Sequence, residues 1–335
     1  MMNLNSNDTN DQLLYDVLLK DLINTSYDTW KAKTIFSPEL LLNYKSNKFS
    51  PDMNQKYDDQ LCRYSNDFLI EETMVTEQHN DKIVDASRIT LGSTQNCIVC
   101  SAPVPGPERD FRRFYDMLYS NKIEVILMLT PYIEGDYIKA DRYIPPAGES
   151  RFGARWARYG DFWIKAITIP QKFMYIDVTQ IVIRKANFRY ASHCVGDNID
   201  NYILDNEPND DILDSDQIIH HIHFTEWTDF AAPDMQKFDN FMKIYEIYRP
   251  INSDNVVVHC SGGVGRTGVF CAIEAIKNEI RTKINTGESI TEITINLVRT
   301  VQSLRECRNE MVQSDSQLGF IFDAIVAFVV TNNYC

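Results

Sequence analysis

Apolar positions along this chain change period several times, and each change marks an element. Leu13, Leu14, Val17, Leu18 and Leu22 recur at helical spacing and predict a helix over Asp11–Lys33, with helix-forming character continuing toward Leu42. Residues 45–80 are polar and loop-rich. Asn96–Val104 and Ile123–Leu129 read as strands with a helix, Arg112–Tyr119, between them, and Phe162–Ile169 and Gln180–Tyr190 alternate as an antiparallel pair does. A strand over Ile218–Thr225 and a helix from Asp234 to Tyr248 lead to a buried strand, Val256–Val258. Ser289-Ile-Thr-Glu292 and Ser314-Asp-Ser-Gln317 have the spacing of capping boxes and predict the start of the last two helices. No internal repeat is present. Strands and helices do not alternate regularly, so the fold class is α+β with a mixed sheet.

A chain of 335 residues with 44% hydrophobic composition can bury one large core. The periodic segments continue without a linker-like break, which predicts one domain, 41–335, behind a helical extension, 1–40, that packs on it. A formal net charge of −14 makes nucleic acid an unexpected partner, since nonspecific binding needs a basic surface. No apolar run is long enough to span a bilayer: Phe320–Val330 is short and contains Asp323. The polar N-terminus has no signal-peptide pattern. Eight cysteines at irregular spacing suit a reducing compartment, and a cytoplasmic location is expected. The segment 197–216 carries eight acids and no base, and reads as a solvated loop.

The chemistry concentrates in Val256-Val-Val-His-Cys-Ser-Gly-Gly-Val-Gly-Arg-Thr-Gly268. A strand runs into a glycine-rich loop, which opens a helix. Gly262, Gly263 and Gly265 let the backbone turn its N–H groups inward around an anion, and the helix adds free amides and the positive end of its dipole. Arg266 supplies a planar fork of donors for two phosphate oxygens. The same field lowers the pKa of Cys260 and makes it a nucleophile.

This run resembles the signature loop of the cysteine-dependent protein tyrosine phosphatases, of the receptor and non-receptor type. The resemblance extends over about Leu40 to Val330. It implies a highly twisted mixed central sheet flanked by helices and hydrolysis of phosphotyrosine on proteins through a phosphocysteine intermediate, with no metal and no cofactor. Ser261, Gly262, Gly263, Val264 and Gly265 would cradle the phosphoryl oxygens with Arg266. His259 would tune the thiolate, and Thr267 would assist breakdown of the intermediate. Glu226-Trp-Thr-Asp-Phe-Ala-Ala-Pro233 matches the family's acid loop, with Asp229 as general acid, Trp227 as hinge anchor and Phe230 at the substrate. Gln313 and Gln317 match its paired-glutamine loop, Gln313 being the main water positioner. Glu134 would hold Arg266 in its bidentate pose, and Lys139 would lie near the acid loop.

Departures from that pattern mark a divergent member, of a kind expected in invertebrate or bracoviral expansions. Thr228 replaces the middle proline of the acid loop. Counted back from Asp85 and Arg88, the tyrosine that stacks on the substrate ring falls at Gln78, which has no π face, and the peptide-gripping aspartate falls at Asn80. Glu310 stands near the pocket mouth, where an acid disfavours acidic peptides. These changes keep other readings open: a phosphoprotein-binding module with little turnover, or a phosphatase for RNA 5′-ends or phosphoinositides. Cys97-Ile-Val-Cys100 has no second pair to make a zinc site, and its sulfurs would face opposite ways on a strand. His220, His221 and His223 could set two imidazoles on one strand face. Arg151, Arg155, Arg158, Arg184, Lys185 and Arg189 read more simply as solvated positions than as an anion surface.

Overall fold

In the computed structural model, the described residues are 16–34, 37–48, 63–64, 68–76, 83–92, 95–106, 111–149, 153–186, 189–190, 202–203, 207–250 and 255–334. The strands are β1 (Val17–Leu18), β2 (Met74–Thr76), β3 (Ile83–Leu91), β4 (Gln95–Cys100), β5 (Val125–Met128), β6 (Ile133–Glu134), β7 (Tyr137–Ile138), β8 (Trp156–Tyr159), β9 (Phe162–Ile169), β10 (Ile176–Lys185), β11 (Arg189–Tyr190), β12 (Tyr202–Ile203), β13 (Gln217–Phe224), β14 (Val256–His259) and β15 (Thr294–Ile295). The helices are α1 (Leu19–Leu22), α2 (Tyr27–Lys33), α3 (Pro38–Leu42), α4 (Arg112–Ser120), α5 (Met235–Tyr248), α6 (Gly265–Asn285), α7 (Leu297–Arg305) and α8 (Asp315–Thr331).

A nine-stranded sheet runs β2-β3-β4-β14-β5-β13-β10-β9-β8. Its centre is parallel, β4 beside β14, β14 beside β5 and β5 beside β13, while the outer pairings are antiparallel. Central strands covered on both faces need continuous apolar sequence rather than alternation. Val-Ile-Leu-Met in β5 and Val-Val-Val-His in β14 supply it, every residue buried. One face carries the larger core, built with α5 to α8; the other is covered by α4 and the segment through Tyr143. Cys97 lies in the first core and Cys100 in the second, so the strand does turn their sulfurs to opposite faces.

Two expectations change and a third gains detail. The Asp11–Lys33 helix is broken: β1 pairs with β15, and α2 begins afresh at Ser26, whose hydroxyl accepts from Thr29 N–H. Leu13 and Leu14 fall outside the described residues. The Ser289 capping box opens no helix; Ser289 Oγ bonds Thr291 Oγ1 instead, and α7 starts at Leu297 under an Asn296 cap that accepts from Arg299 N–H. The described part of the acidic segment, from Glu207, is a largely exposed loop as expected, but it is fastened to the sheet at several points. Asp210 pairs with fully buried Lys165, Asp216 takes both Nε and Nη2 of Arg184 at 2.7 Å, and Trp156 Nε1 donates to Asn209 O. Two of its five described acids, Asp210 and Asp216, are thus paired with cations of β9 and β10, which also removes Arg184 from any anion surface. The other half of the segment falls largely outside the described residues.

Segments near the N-terminus pack against the helix that follows the glutamine loop. Tyr27 Oη donates to Asp315 at 2.6 Å, Lys31 pairs with the same carboxylate at 3.0 Å, and Trp30 lies 5.7 Å from Phe322.

Candidate active site

The parallel strands β5, β13 and β14 end on the same sheet edge, so the loops leaving them converge there. Ligand crevices of open sheets form at such carboxyl ends. The loop after β5 carries the β6–β7 hairpin with Glu134 and Lys139. The loop after β13 carries Trp227 to Phe230, and that after β14 is the Cys260–Gly265 turn into α6. The glutamine turn before α8 closes the fourth side.

Gly263 has φ +68°, and a Cβ there would lie 2.1 Å from Cys100 O, so only glycine fits the turn. A Cβ on Gly265 would lie 2.7 Å from Gln313 Oε1 and 3.2 Å from Gln317 Nε2, which places both predicted glutamines directly over the loop. Gln317 Oε1 accepts from Gln313 N–H at 2.8 Å, and Ser314 caps α8 through Gln317 N–H, as its capping box predicts.

Cys260 is buried at the start of this turn. Burial pushes its thiol up, but the Arg266 charge, the Thr267 hydroxyl and amide and the Val264 amide outweigh that and hold it below the ordinary cysteine value. Arg266 is wholly buried. Its Nη1 donates to Trp227 O at 2.7 Å and lies 3.5 Å from Glu134 Oε2, while Nη2 lies 3.2 Å from Asp229 Oδ1. Nε and Nη2 have no hydrogen-bond partner among the described residues. They form one edge of the guanidinium, the fork that a bidentate oxyanion takes.

Asp229 is held from several sides. Lys139 Nζ meets its Oδ2 at 2.7 Å, and its backbone N–H donates to Glu134 Oε1 at 2.9 Å. Glu134 thus touches both the acid loop, through Asp229 N–H, and Arg266, through Nη1 at 3.5 Å, on the side away from the Nε–Nη2 edge. The next residue, Phe230, sits at φ +55°, and its carbonyl accepts from Ser314 Oγ at 2.7 Å and Ser316 Oγ at 3.2 Å. Trp227 is buried against Phe238 and Phe320, with Nε1 donating to Ala231 O.

Behind the turn, His259 Nδ1 bonds Cys260 O at 3.0 Å. A carbonyl only accepts, so Nδ1 carries the proton, and burial pushes His259 down to about 4, which keeps the ring neutral. Nε2 then accepts from Tyr143 Oη at 2.7 Å, and that oxygen in turn accepts from His221 Nε2 at 2.7 Å. His221 and His223 do share a strand face, but His223 Nε2 donates to Thr130 O, and no metal-holding cluster occurs among the described residues.

Sequence reasoning missed several groups. Arg308, fully buried, donates through Nε to Gly263 O at 3.1 Å and through Nη2 to Gly262 O at 3.0 Å and to Asp85 at 2.8 Å, fastening the back of the loop. Tyr64 stands at its mouth, with Oη 2.8 Å from Ser261 Oγ and its ring 3.5 Å from where a Gly262 Cβ would lie. Its neighbour Arg63 pairs with Asp141. The Arg63-Tyr64 dipeptide was the available signal. A count back from Asp85 passes over it, because β2 and the residues around it lengthen the connection to β3. Gln78 and Asn80 fall outside the described residues, and the tyrosine at the rim is Tyr64.

A thiol held low, an arginine edge without a hydrogen-bond partner and a carboxylate between two cations, at the ends of parallel strands, make a cysteine-centred anion cradle. A family model for protein-tyrosine phosphatase matches residues 58–327, and the chain belongs to that family. It is 27% identical over 225 residues to the putative receptor-type tyrosine-protein phosphatase mosPTP-1 of Aedes aegypti, covering 67% of this chain and 14% of that protein. It is 25% identical over 228 residues to tyrosine-protein phosphatase 99A of Drosophila melanogaster, covering 68% and 15%. Against tyrosine-protein phosphatase 1 of Schizosaccharomyces pombe the identity is 25% over 239 residues, covering 69% and 37%. The chain thus spans well under half the length of these relatives. Among its described residues, no helix is long and apolar enough to cross a membrane.

Proposed function

We propose that this chain hydrolyses phosphotyrosine on proteins through a phosphocysteine intermediate. The observation that carries the reading is the pairing of Cys260, its thiol held low, with the Nε–Nη2 edge of fully buried Arg266, which has no hydrogen-bond partner among the described residues and meets only Asp229, at 3.2 Å from Nη2. Cys260 attacks phosphorus while that edge and the loop amides hold the equatorial oxygens. A phosphoryl group on the edge displaces Asp229 Oδ1 from Nη2; beside the phosphoryl oxygens that carboxylate takes up a proton from solvent and gives it to the leaving phenolate oxygen as the P–O bond breaks. Asp229 then takes a proton from the water that Gln313 positions, with Gln317 assisting, and the S–P bond breaks. Thr267, whose hydroxyl is buried with no other partner among the described residues, stabilises the departing thiolate.

Tyr64 favours phosphotyrosine over the smaller phosphoserine. Its ring stands beside Gly262 at the mouth, where it can pack on the phenol ring of a phosphotyrosine, and phosphoserine has no ring to meet it. A cytoplasmic, signalling setting fits a nucleophile that works only as a reduced thiolate, and the described cysteines are all free.

The test is turnover of an aryl phosphate and of matched phosphotyrosine and phosphoserine peptides. Wild-type protein should cleave the aryl phosphate and the phosphotyrosine peptide. Cys260→Ser should abolish both, and Asp229→Asn should cost roughly 10²–10⁴-fold in kcat. Phosphopeptide binding without turnover in the wild type would favour the binding-module reading instead.

A further inference from the structure

The turn that opens α8, residues 313–317, touches three parts of the molecule at once. Gln313 and Gln317 lie over Gly265 of the Cys260 turn, and Ser314 and Ser316 donate to Phe230 O of the acid loop. Asp315, between the two serines, gives both carboxylate oxygens to α2: Oδ1 accepts from Tyr27 Oη at 2.6 Å and Oδ2 from Lys31 Nζ at 3.0 Å.

Spacing on both helices builds this contact. Tyr27, Trp30 and Lys31 stand at i, i+3 and i+4 on α2, and Asp315, Gly319 and Phe322 at i, i+4 and i+7 on α8, so each set shares one face. Gly319 lets the Tyr27 ring lie against the helix, since a Cβ there would be 3.2 Å from Tyr27 Cδ1. Trp30 stacks on Tyr27 at 5.9 Å and meets Phe322 at 5.7 Å, all three buried. Lys31 Nζ lies 4.6 Å from the centre of the Tyr27 ring and 3.4 Å from Asp28 of its own helix. Burial and the Asp315 carboxylate push the Tyr27 phenol up, so it remains a donor at neutral pH.

The glutamines depend on where this turn stands. Gln317 is wholly buried, with Oε1 fixed by Gln313 N–H and Nε2 without a partner among the described residues. Gln313 Nε2 has only a 3.4 Å contact, with Glu310, so its place over the loop follows from the backbone that carries it. Val312, just before it, is a β-branched residue at φ +64°, a conformation that persists only where its surroundings impose it. On that side the turn is held by Val312 N–H on Val264 O at 3.1 Å and by Arg305 Nη2 on Val312 O at 2.6 Å. On the other side it is held by the grip of α2 on Asp315.

We propose that Tyr27 and Lys31, acting through Asp315, are positioning residues for the water-handling glutamines, which makes α2 part of the catalytic unit. This rests on the phosphocysteine reading above.

The test reads where the phosphoryl group goes. With glycerol added to an aryl phosphate assay, the oxygen of water or of the alcohol attacks phosphorus. The S–P bond breaks with its electron pair returning to the Cys260 sulfur, the attacking oxygen's proton passes to Asp229, and the product is inorganic phosphate or glycerol phosphate. The share of glycerol phosphate per phenol released is a ratio, so loss of folded protein does not change it. In Gln313→Ala that share should rise, because the group that selects water is gone. Tyr27→Phe and Asp315→Asn should raise it too and lower kcat about tenfold, the scale of one hydrogen bond to a charged group. In a Gln313→Ala background Tyr27→Phe should add nothing to the share, as expected of two residues acting through one contact chain. An unchanged share in Tyr27→Phe and Asp315→Asn overturns the proposal whatever their stability, and so does an additive effect on Gln313→Ala. A wild-type share in Gln313→Ala overturns it as well, by removing the water-positioning role it serves. Wild-type protein that hydrolyses no aryl phosphate defeats the phosphatase reading itself, and the proposal falls with it.

Discussion

Arg308 offers the sharpest separation of stability from catalysis. It lies outside the reacting groups, with one guanidinium holding Asp85 and the carbonyls of Gly262 and Gly263. Arg308→Met leaves Asp85, almost wholly buried, as an uncompensated charge, and leaves two loop carbonyls without their donor. Breaking a buried pair by removing one partner costs about 3–5 kcal/mol. Removing both charges in Asp85→Leu/Arg308→Met abolishes the uncompensated charge, so the double variant should be more stable than the single. What remains is chiefly the two lost carbonyl bonds, at ~1–3 kcal/mol each for a charged donor. Catalysis should not follow stability. Both variants lack the fastening of Gly262 and Gly263, and a displacement of ~1 Å in a reacting group costs on the order of 100-fold. Urea unfolding gives the stabilities and aryl phosphate turnover gives kcat. Equal stability of single and double variants would refute the buried-charge argument. Recovery of wild-type kcat in the double variant would refute the claim that Arg308 shapes the loop.

Further outcomes follow from other parts of the site. Gly263→Ala should abolish turnover, because its Cβ would stand 2.1 Å from Cys100 O at φ +68°; a folded variant with wild-type kcat would contradict the turn geometry. His259 should make the protein acid-labile. The folded ring titrates at about 4, and an unfolded histidine near about 6.5. The unfolded chain therefore binds the extra proton between those values. The contribution is complete above the upper one and is lost as pH falls toward the lower, about 3 kcal/mol in all. His221, pushed down by the same burial, adds in the same direction. Unfolding measured against pH should show a shallower slope in His259→Gln, and an unchanged slope would contradict the assignment. Ser316→Ala removes one of two hydroxyls on the Phe230 carbonyl, worth about 0.5–1.5 kcal/mol of acid-loop closure. Lower kcat with unchanged KM, together with altered Trp227 fluorescence, should result; no change in either would show that this contact does not hold the loop.

The sequence exposed the parts whose chemistry is compressed into one stretch. The Val256–Gly268 run holds strand, turn, cysteine, arginine and helix start in thirteen consecutive residues, and the strand and the helix stand where the run predicts them. Ser314 and Gln317 were legible for the same reason, as a local capping pattern with a local partner. Residues whose meaning depends on distant contacts were not. Arg308 looks like any helix-terminal arginine until Gly262, Gly263 and Asp85 meet it. Asp210 and Asp216 look like members of a self-repelling run until Lys165 and Arg184 face them. Ser289 has the right spacing for a cap, but the chain there is drawn into a turn before β15, and β15 pairs with β1, far away in sequence. Tyr64 was hidden by counting at fixed spacing across a connection of different length.

The central claim is that Cys260 is the nucleophile and carries the phosphoryl group. It is tested most directly in Gln313→Ala/Gln317→Ala, where breakdown of the intermediate is slowed. After rapid mixing with an aryl phosphate and acid quench, mass spectrometry of the digested protein should find the phosphoryl adduct on the Cys260 peptide, with a matching burst of phenol. An adduct on another residue, or turnover that persists in Cys260→Ser, would contradict the account.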